Sequence, residues 1–157
     1  MPKIDIAKVP ADTACPYPDP FWKPIVGRSR QRLGNAVGLT QFGVNLTTLK
    51  PGTWSSQRHW HRNEDEFVYV LKGELVLCEN HGETVLKAGD AAGFKANSGN
   101  GHCLINQTQE DAVYIEVGSR AVNETTVYSD IDMRLERDKT GLRYLHKTGE
   151  PYPPRKG

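Results

Sequence analysis

His59 and His61, separated by a single residue, are the first place in this chain where side-chain type and spacing could do chemistry. On an extended strand successive side chains alternate between faces, so the two imidazoles share one face and Trp60 takes the other. At the usual strand rise they stand about 7 Å apart, close enough for both rings to turn toward one metal ion. Glu66 opens the following β-rich run, and a short turn through residues 62–64 would carry its carboxylate back to the pair. Glu64 and Asp65 compete for that role, although Asp65 has the opposite parity. His102 lies on a later strand, with Leu104 and Asn106 on the same face.

These residues need strands to position them. Phe42, Val44 and Leu46 alternate with Gly43, Asn45 and Thr47, the period of a half-buried strand, and Pro51-Gly52 closes it with a turn. Residues 66–77 read as two β-rich runs divided by Lys72-Gly73. Asn80-His81-Gly82 and Gly89-Asp90 mark further turns, and short strands follow at Phe94, at residues 103–105 and at residues 113–117. Many short strands at intervals of about eight to twelve residues, with no sustained helical period, predict an all-β sandwich or barrel. Residues 1–37 are proline-rich and read as an arm that wraps its own barrel or a neighbour's. Residues 38–120 form the expected barrel core. Residues 121–157 read as a polar extension with one short strand near residues 142–145, all within a single domain of 1–157.

Gly52, His59, His61, Glu66 and Gly73 resemble the first signature of the cupin superfamily, and Gly89 through Asn106, with His102, resembles the second. The resemblance covers residues 52–106 closely and about 38–120 with the flanking strands. It implies a double-stranded β-helix, the jelly-roll barrel, with His59, His61, Glu66 and His102 holding one metal ion. The six-residue gap to Gly73 selects Glu66 over its neighbours. Two departures stand out: seven steps rather than six separate Gly52 from His59, and the family's Pro-x-Gly is here Lys95-Ala96-Asn97 ahead of a longer loop. Asn97 tolerates positive φ at modest cost, so the turn is expected to survive.

Three nitrogens and one carboxylate suit zinc, manganese, iron, nickel or cobalt without choosing among them. Gln57 shares parity with His59 and Asn106 with His102, so both are pocket candidates. Glu116 is the one further carboxylate that could face inward, although parity does not decide whether it or Val113, Ile115 and Val117 do so. Many small single-domain cupins resemble sugar-phosphate isomerases, which implies metal-assisted proton transfer on a small polar metabolite. A dioxygenase or lyase acting on a small organic acid, or a non-catalytic metal-binding or sensor module, uses the same ligands. Phosphate would want an inward Arg or Lys, and Arg58 has outward parity.

Composition narrows the partners. Hydrophobic residues make up 37% of the chain, and 20 basic against 19 acidic side chains leave a net charge of +1 with no basic stripe. Nucleic acid and anionic membranes are therefore poor partners. No apolar run reaches the length of a signal peptide core or a membrane span. Cys15, Cys78 and Cys103 are odd in number and far apart, which points to a reducing, cytoplasmic setting. The arm, with Phe21, Trp22, Ile25 and Val26, suggests a homodimer.

Overall fold

Polar and apolar residues alternate along most of this chain, and in the computed structural model, which describes residues 3–155, that alternation becomes strand after strand. In chain order these are β1 (Ala11–Asp12), β2 (Arg28–Gln31), β3 (Phe42–Leu49), β4 (His59–His61), β5 (Glu66–Lys72), β6 (Glu74–Glu79) and β7 (Gly82–Lys87). There follow β8 (Ala91–Phe94), β9 (Cys103–Ile105), β10 (Ala112–Ser119), β11 (Glu124–Tyr128), β12 (Arg134–Asp138) and β13 (Gly141–Leu145). The only α-helix among the described residues is one turn, α1 (Leu33–Ala36).

The strands pair antiparallel in the orders β1-β2-β3-β10-β5-β8, β13-β12-β11-β4 and β7-β6-β9. Isolated bridges between His59 and His102, and between Trp54 and Ile105, stitch the two smaller sheets into one wall. That wall packs against the six-stranded sheet. Leu49, Val68, Val70 and Tyr114 from one side meet Leu75, Leu77 and Leu104 from the other in a buried apolar cluster. Each fully buried leucine or valine there contributes about 1.5–3 kcal/mol relative to exposure. The result is the jelly-roll barrel expected from the sequence.

Register decides what faces inward. Arg30 pairs with Thr47, Thr47 with Tyr114 and Tyr114 with Val70, so one inward row crosses four strands. The next row runs Asn45, Glu116, Val68 and Ala92, and the one beyond it Gly43, Gly118, Glu66 and Phe94. The period of two expected for β3 is present, but its inward residues are Gly43, Asn45, Thr47 and Leu49, while Phe42 stays 41% exposed on the outside. A barrel that encloses a polar cavity turns the polar half of such a strand inward.

The arm and the extension both contribute strands. β2 adds to the edge of β3, and Tyr17 and Ile25 are buried in a second core with Tyr128 and Met133, against which Trp22 and Trp54 pack. The arm therefore wraps its own barrel. The extension holds β11, β12 and β13 rather than one short strand, and β11 pairs directly with β4. These strands escape an apolar-pattern reading because charged and hydroxyl side chains dominate them, as in Arg143, which pairs with Asp138 and Glu136.

Two turns fix the site's approach. Gly73 sits at φ +79, and a Cβ there would lie 3.1 Å from the Ala112 backbone, so the β5–β6 turn needs glycine for both reasons. Asn97, the position read as a substitute for the family glycine, has φ 57, and its N–H donates to the carbonyl of His61 at 2.7 Å.

Candidate functional site

β4 presents His59 and His61 on one face, as parity requires, and the reciprocal backbone bonds between His59 and His102 (3.1 and 2.8 Å) place the third histidine opposite the first. Glu66 opens β5 on its inward face. The Nε2 atoms of His59 and His61 are 3.2 Å apart, and Glu66 Oε2 lies 2.9 Å from His102 Nε2, 3.4 Å from His61 Nε2 and 3.8 Å from His59 Nε2. Ligands bound at about 2.1 Å stand about 3.0 Å apart at neighbouring octahedral corners and about 3.4 Å apart on a tetrahedron, and the His59–His61, His61–Glu66 and His102–Glu66 spacings suit that demand. The residues fit a metal, and His59, His61 and Glu66 form a group that could hold one.

Each imidazole is oriented differently. His59 Nδ1 lies 2.8 Å from the Gln57 carbonyl and donates to it, which leaves Nε2 with its lone pair toward the cluster. His61 Nδ1 faces Thr126 Oγ1 at 3.2 Å, Glu124 Oε1 at 3.4 Å and Glu64 Oε2 at 3.7 Å. Glu124 is in turn held by the backbone N–H groups of Arg62 and Asn63 at 2.8 and 2.9 Å, while Glu64 pairs with Arg137. His102 Nδ1 is buried without a hydrogen-bond partner among the described residues; its ring instead stacks flat on Phe94, with centroids 3.6 Å apart.

Burial pulls the His59 imidazole down to about 3, outweighing the nearby Glu66 carboxylate. Burial acts on His61 in the same direction, but hydrogen bonds to Glu124 and Glu66 at its two nitrogens raise it to about 10. Burial alone would raise Glu66; the bonds from His102 and His61 overcome it and hold the carboxyl well below its usual range. The metal-free cluster is thus a protonated His61 between carboxylates, with a neutral His59 beside it.

The cluster forms part of the wall of a cavity of about 350 Å³. Glu116 does face inward: its Oε1 lies 2.6 Å from Arg30 Nε and accepts a bond from Asn45 Nδ2 at 2.8 Å, and the Tyr114 hydroxyl donates to Oε2 at 3.3 Å. Gln57 and Asn106 do not serve the pocket. Gln57 Nε2 donates to the Phe21 carbonyl at 2.7 Å and pins the arm. Asn106, fully buried, donates to the Leu49 and Glu110 carbonyls at 2.8 and 2.7 Å and accepts from Thr108. Parity made both pocket candidates, but both lie just outside the strands, and backbone carbonyls consume their amides. Lys95 is exposed, and Arg58 points outward to Asp130.

The inward basic residues are Arg28 and Arg30, one strand period apart on β2. The alternation in Arg28-Ser29-Arg30-Gln31 was the available signal, hidden because no apolar residue marks the segment as a strand. Glu124 is likewise invisible in the sequence, since only the β4–β11 pairing brings it to His61; Glu64, a competitor of Glu66 in the sequence, instead lies beside His61 Nδ1.

Residues 45–118 match the family model of the cupin domain. The structure of a sugar phosphate isomerase of the cupin superfamily from Silicibacter pomeroyi superposes with a TM-score of 0.94 at 43% identity, covering 97% of each chain. The chain belongs to the cupin superfamily. A protein from Acidithiobacillus ferrooxidans, labelled a candidate sugar phosphate isomerase, matches this cupin at 30% identity over 77% of each chain, TM-score 0.73. The polyketide cyclase RemF from Streptomyces resistomycificus shares the fold at 17% identity, covering 76% of this chain and 79% of its own, TM-score 0.63. No protein of curated function matches this cupin. No helix among its described residues is long and apolar enough to cross a membrane.

Proposed function

We propose that this cupin is a metal-dependent enzyme that moves a proton on a small polar metabolite, in the manner of a sugar-phosphate isomerase, with His59, His61, Glu66 and His102 as ligands to one divalent zinc, manganese, iron, nickel or cobalt ion. The observation that carries the reading is the convergence of those four side chains on the wall of a closed-fold cavity that also contains an inward carboxylate, Glu116. Such an ion supplies Lewis acidity, which polarises a carbonyl and acidifies the neighbouring C–H.

The chain's own groups do the rest. Glu116 is the proton acceptor, and Arg30 and Asn45 fix the orientation of its carboxylate. Burial first, and then Glu116, push the Tyr114 hydroxyl up, so it stays protonated and donates toward that carboxylate. Val68 gives the cavity apolar surface on the strand that carries Glu66. The similarity to the Silicibacter pomeroyi enzyme over nearly the whole chain supports the same substrate class. Arm, barrel and extension act as one domain, since β2 and β11 both border the cavity strands.

The three free cysteines suit a reducing, cytoplasmic compartment. Phe67 and Tyr69, 44% and 40% exposed on the outer face of β5, suit pairing with a second copy, a homodimer.

The test is solvent deuterium incorporation at the carbon next to the carbonyl, followed by proton NMR, with metal-loaded protein and a panel of aldose and ketose phosphates in D2O. Exchange that falls at least 100-fold in Glu116→Gln supports the reading. No exchange with any member of the panel rejects it.

A further inference from the structure

Five arginines line the cavity, Arg28, Arg30, Arg32, Arg120 and Arg137, against three glutamates, Glu64, Glu66 and Glu116. Three of the five are answered by a carboxylate: Arg30 by Glu116, Arg32 by Asp12 and Arg137 by Glu64. Arg120 is exposed at the surface and bonds Leu39 and Asn35. Arg28 differs from all of these. It is only 9% exposed, yet no carboxylate among the described residues pairs with it. Its two bonds go to backbone carbonyls, from Nη1 to Ser55 at 2.6 Å and from Nη2 to Ala14 at 3.4 Å.

A guanidinium carries five N–H donors and a full charge, and two carbonyls answer neither completely. Removing that charge from water is costly unless a counter-charge compensates it. The two carbonyls hold the planar fork in place and leave it preorganised at the cavity wall. The wall also connects it to the metal ligands: Ser55 Oγ is 3.4 Å from Ser56 Oγ, which is 3.2 Å from His59 Nδ1. Arg28 and the three histidines line the same cavity of about 350 Å³, so one ligand can contact both.

We propose that Arg28 receives an oxyanion of the substrate, a phosphate monoester or a carboxylate, while the rest of the molecule reaches the metal ligands. The proposal rests on the reading of the cavity as a substrate site, and it names the feature by which substrates are selected. Bidentate recognition of an oxyanion is what a fixed guanidinium fork does best. Arg28 lies in β2, outside the residues 45–118 that match the family model, so the selecting group comes from the arm rather than from the barrel signatures.

The experiment is calorimetric titration of manganese-loaded protein with fructose 6-phosphate, gluconate and fructose, using wild type, Arg28→Gln, Arg28→Lys and, as a control for lost surface charge, Lys87→Gln on β7. Wild type is expected to bind at least one of the two anions more tightly than fructose, and which one identifies the oxyanion. Arg28→Gln is expected to lose about 10–100-fold in affinity for that anion, the range of one charge-assisted contact, with fructose unchanged. Arg28→Lys keeps the charge and loses the fork, so it falls between the two; it carries the test if the glutamine variant does not fold. Lys87→Gln, outside the cavity, is expected to match wild type.

Anion affinity within twofold of wild type in both Arg28 variants, or no preference for either anion over fructose in wild type, overturns the assignment. Turnover is read separately. If an anion binds through Arg28 but is not isomerised, the proposed reaction fails and the subsite stands. If it is isomerised and Arg28 is irrelevant to its binding, the reverse holds.

Discussion

Raising the pH should strengthen metal binding by this protein about tenfold per unit between roughly pH 7 and 9, the slope of one displaced proton. The reason lies at His61. In the metal-free protein Glu124 approaches Nδ1 at 3.4 Å and Glu66 approaches Nε2 at 3.4 Å, and together they outweigh burial and hold the ring's proton up to about 10. A metal ion needs the Nε2 lone pair and so must displace that proton. His59 titrates near 3 and Glu66 well below its usual range, so neither exchanges a proton in this window. The same group sets the stability of the metal-free fold. Its folded value lies above the unfolded 6.5, so its stabilisation is complete below pH 6.5 and fades as pH rises through about 10. Metal-free protein should therefore weaken over the interval in which metal binding tightens, and the metal-induced rise in melting temperature should grow with pH. Competition against a chelator with known pH dependence measures the affinity, and calorimetry in two buffers of different ionisation heat counts the protons. Glu124→Gln removes the nearer of the two carboxylates at Nδ1, so in that variant the climb should level off at lower pH. A flat affinity between pH 7 and 9, or zero proton release, refutes the reasoning.

Other outcomes follow from contacts elsewhere in the barrel. Asn106→Ala takes the buried amide donor from the Leu49 carbonyl, while the Glu110 carbonyl keeps Thr108, and should cost about 1–3 kcal/mol in urea unfolding, while the metal content of the folded protein stays unchanged. A fall in metal stoichiometry would return Asn106 to the pocket. Gly101→Ala brings a Cβ to 2.0 Å from Ser129 Oγ and 3.0 Å from Ser129 Cβ, immediately before His102, and should lose about 1–3 kcal/mol by overpacking. Adding Ser129→Gly should recover most of that loss in a thermal melt, and no recovery would place the strain elsewhere. His61→Ala should sharply lower the metal retained after dialysis, and unchanged stoichiometry by elemental analysis would remove His61 from the ligand set. Tyr69→Lys, on the exposed outer face of β5, should convert a dimer into a monomer in light scattering. A monomeric wild type would end the dimer proposal. Removal of residues 1–37 is a poorer probe, because it also strips β2 and buried Tyr17 and Ile25 from the barrel.

The spacing of His59, His61 and Glu66 and the glycine-marked turns were enough to place three of the four candidate donors on consecutive strands, because strand parity is a local property with a period of two. The fourth, His102, was legible through the second signature, and the structure sets it beside His59 by a two-bond bridge. The sequence also showed that β3 alternates, but not which half faces in. Parity leaves that sign undetermined, and it was settled by the polar cavity that Gly43 and Asn45 help to enclose. Strands whose inward face is charged or hydroxyl-bearing left no apolar period to read. β2 and β11 belong to this class, and they bring Arg28, Arg30 and Glu124 to the site by pairing with β3 and β4. Gln57 and Asn106 fail as pocket groups for a related reason: their amides answer backbone carbonyls at Phe21, Leu49 and Glu110, partners 36, 57 and 4 residues away. Local pattern therefore determined the fold class and the candidate ligands. What surrounds those ligands, above all the charges that tune His61 and the unanswered cation at Arg28, was decided by pairings between distant strands, which no local period encodes.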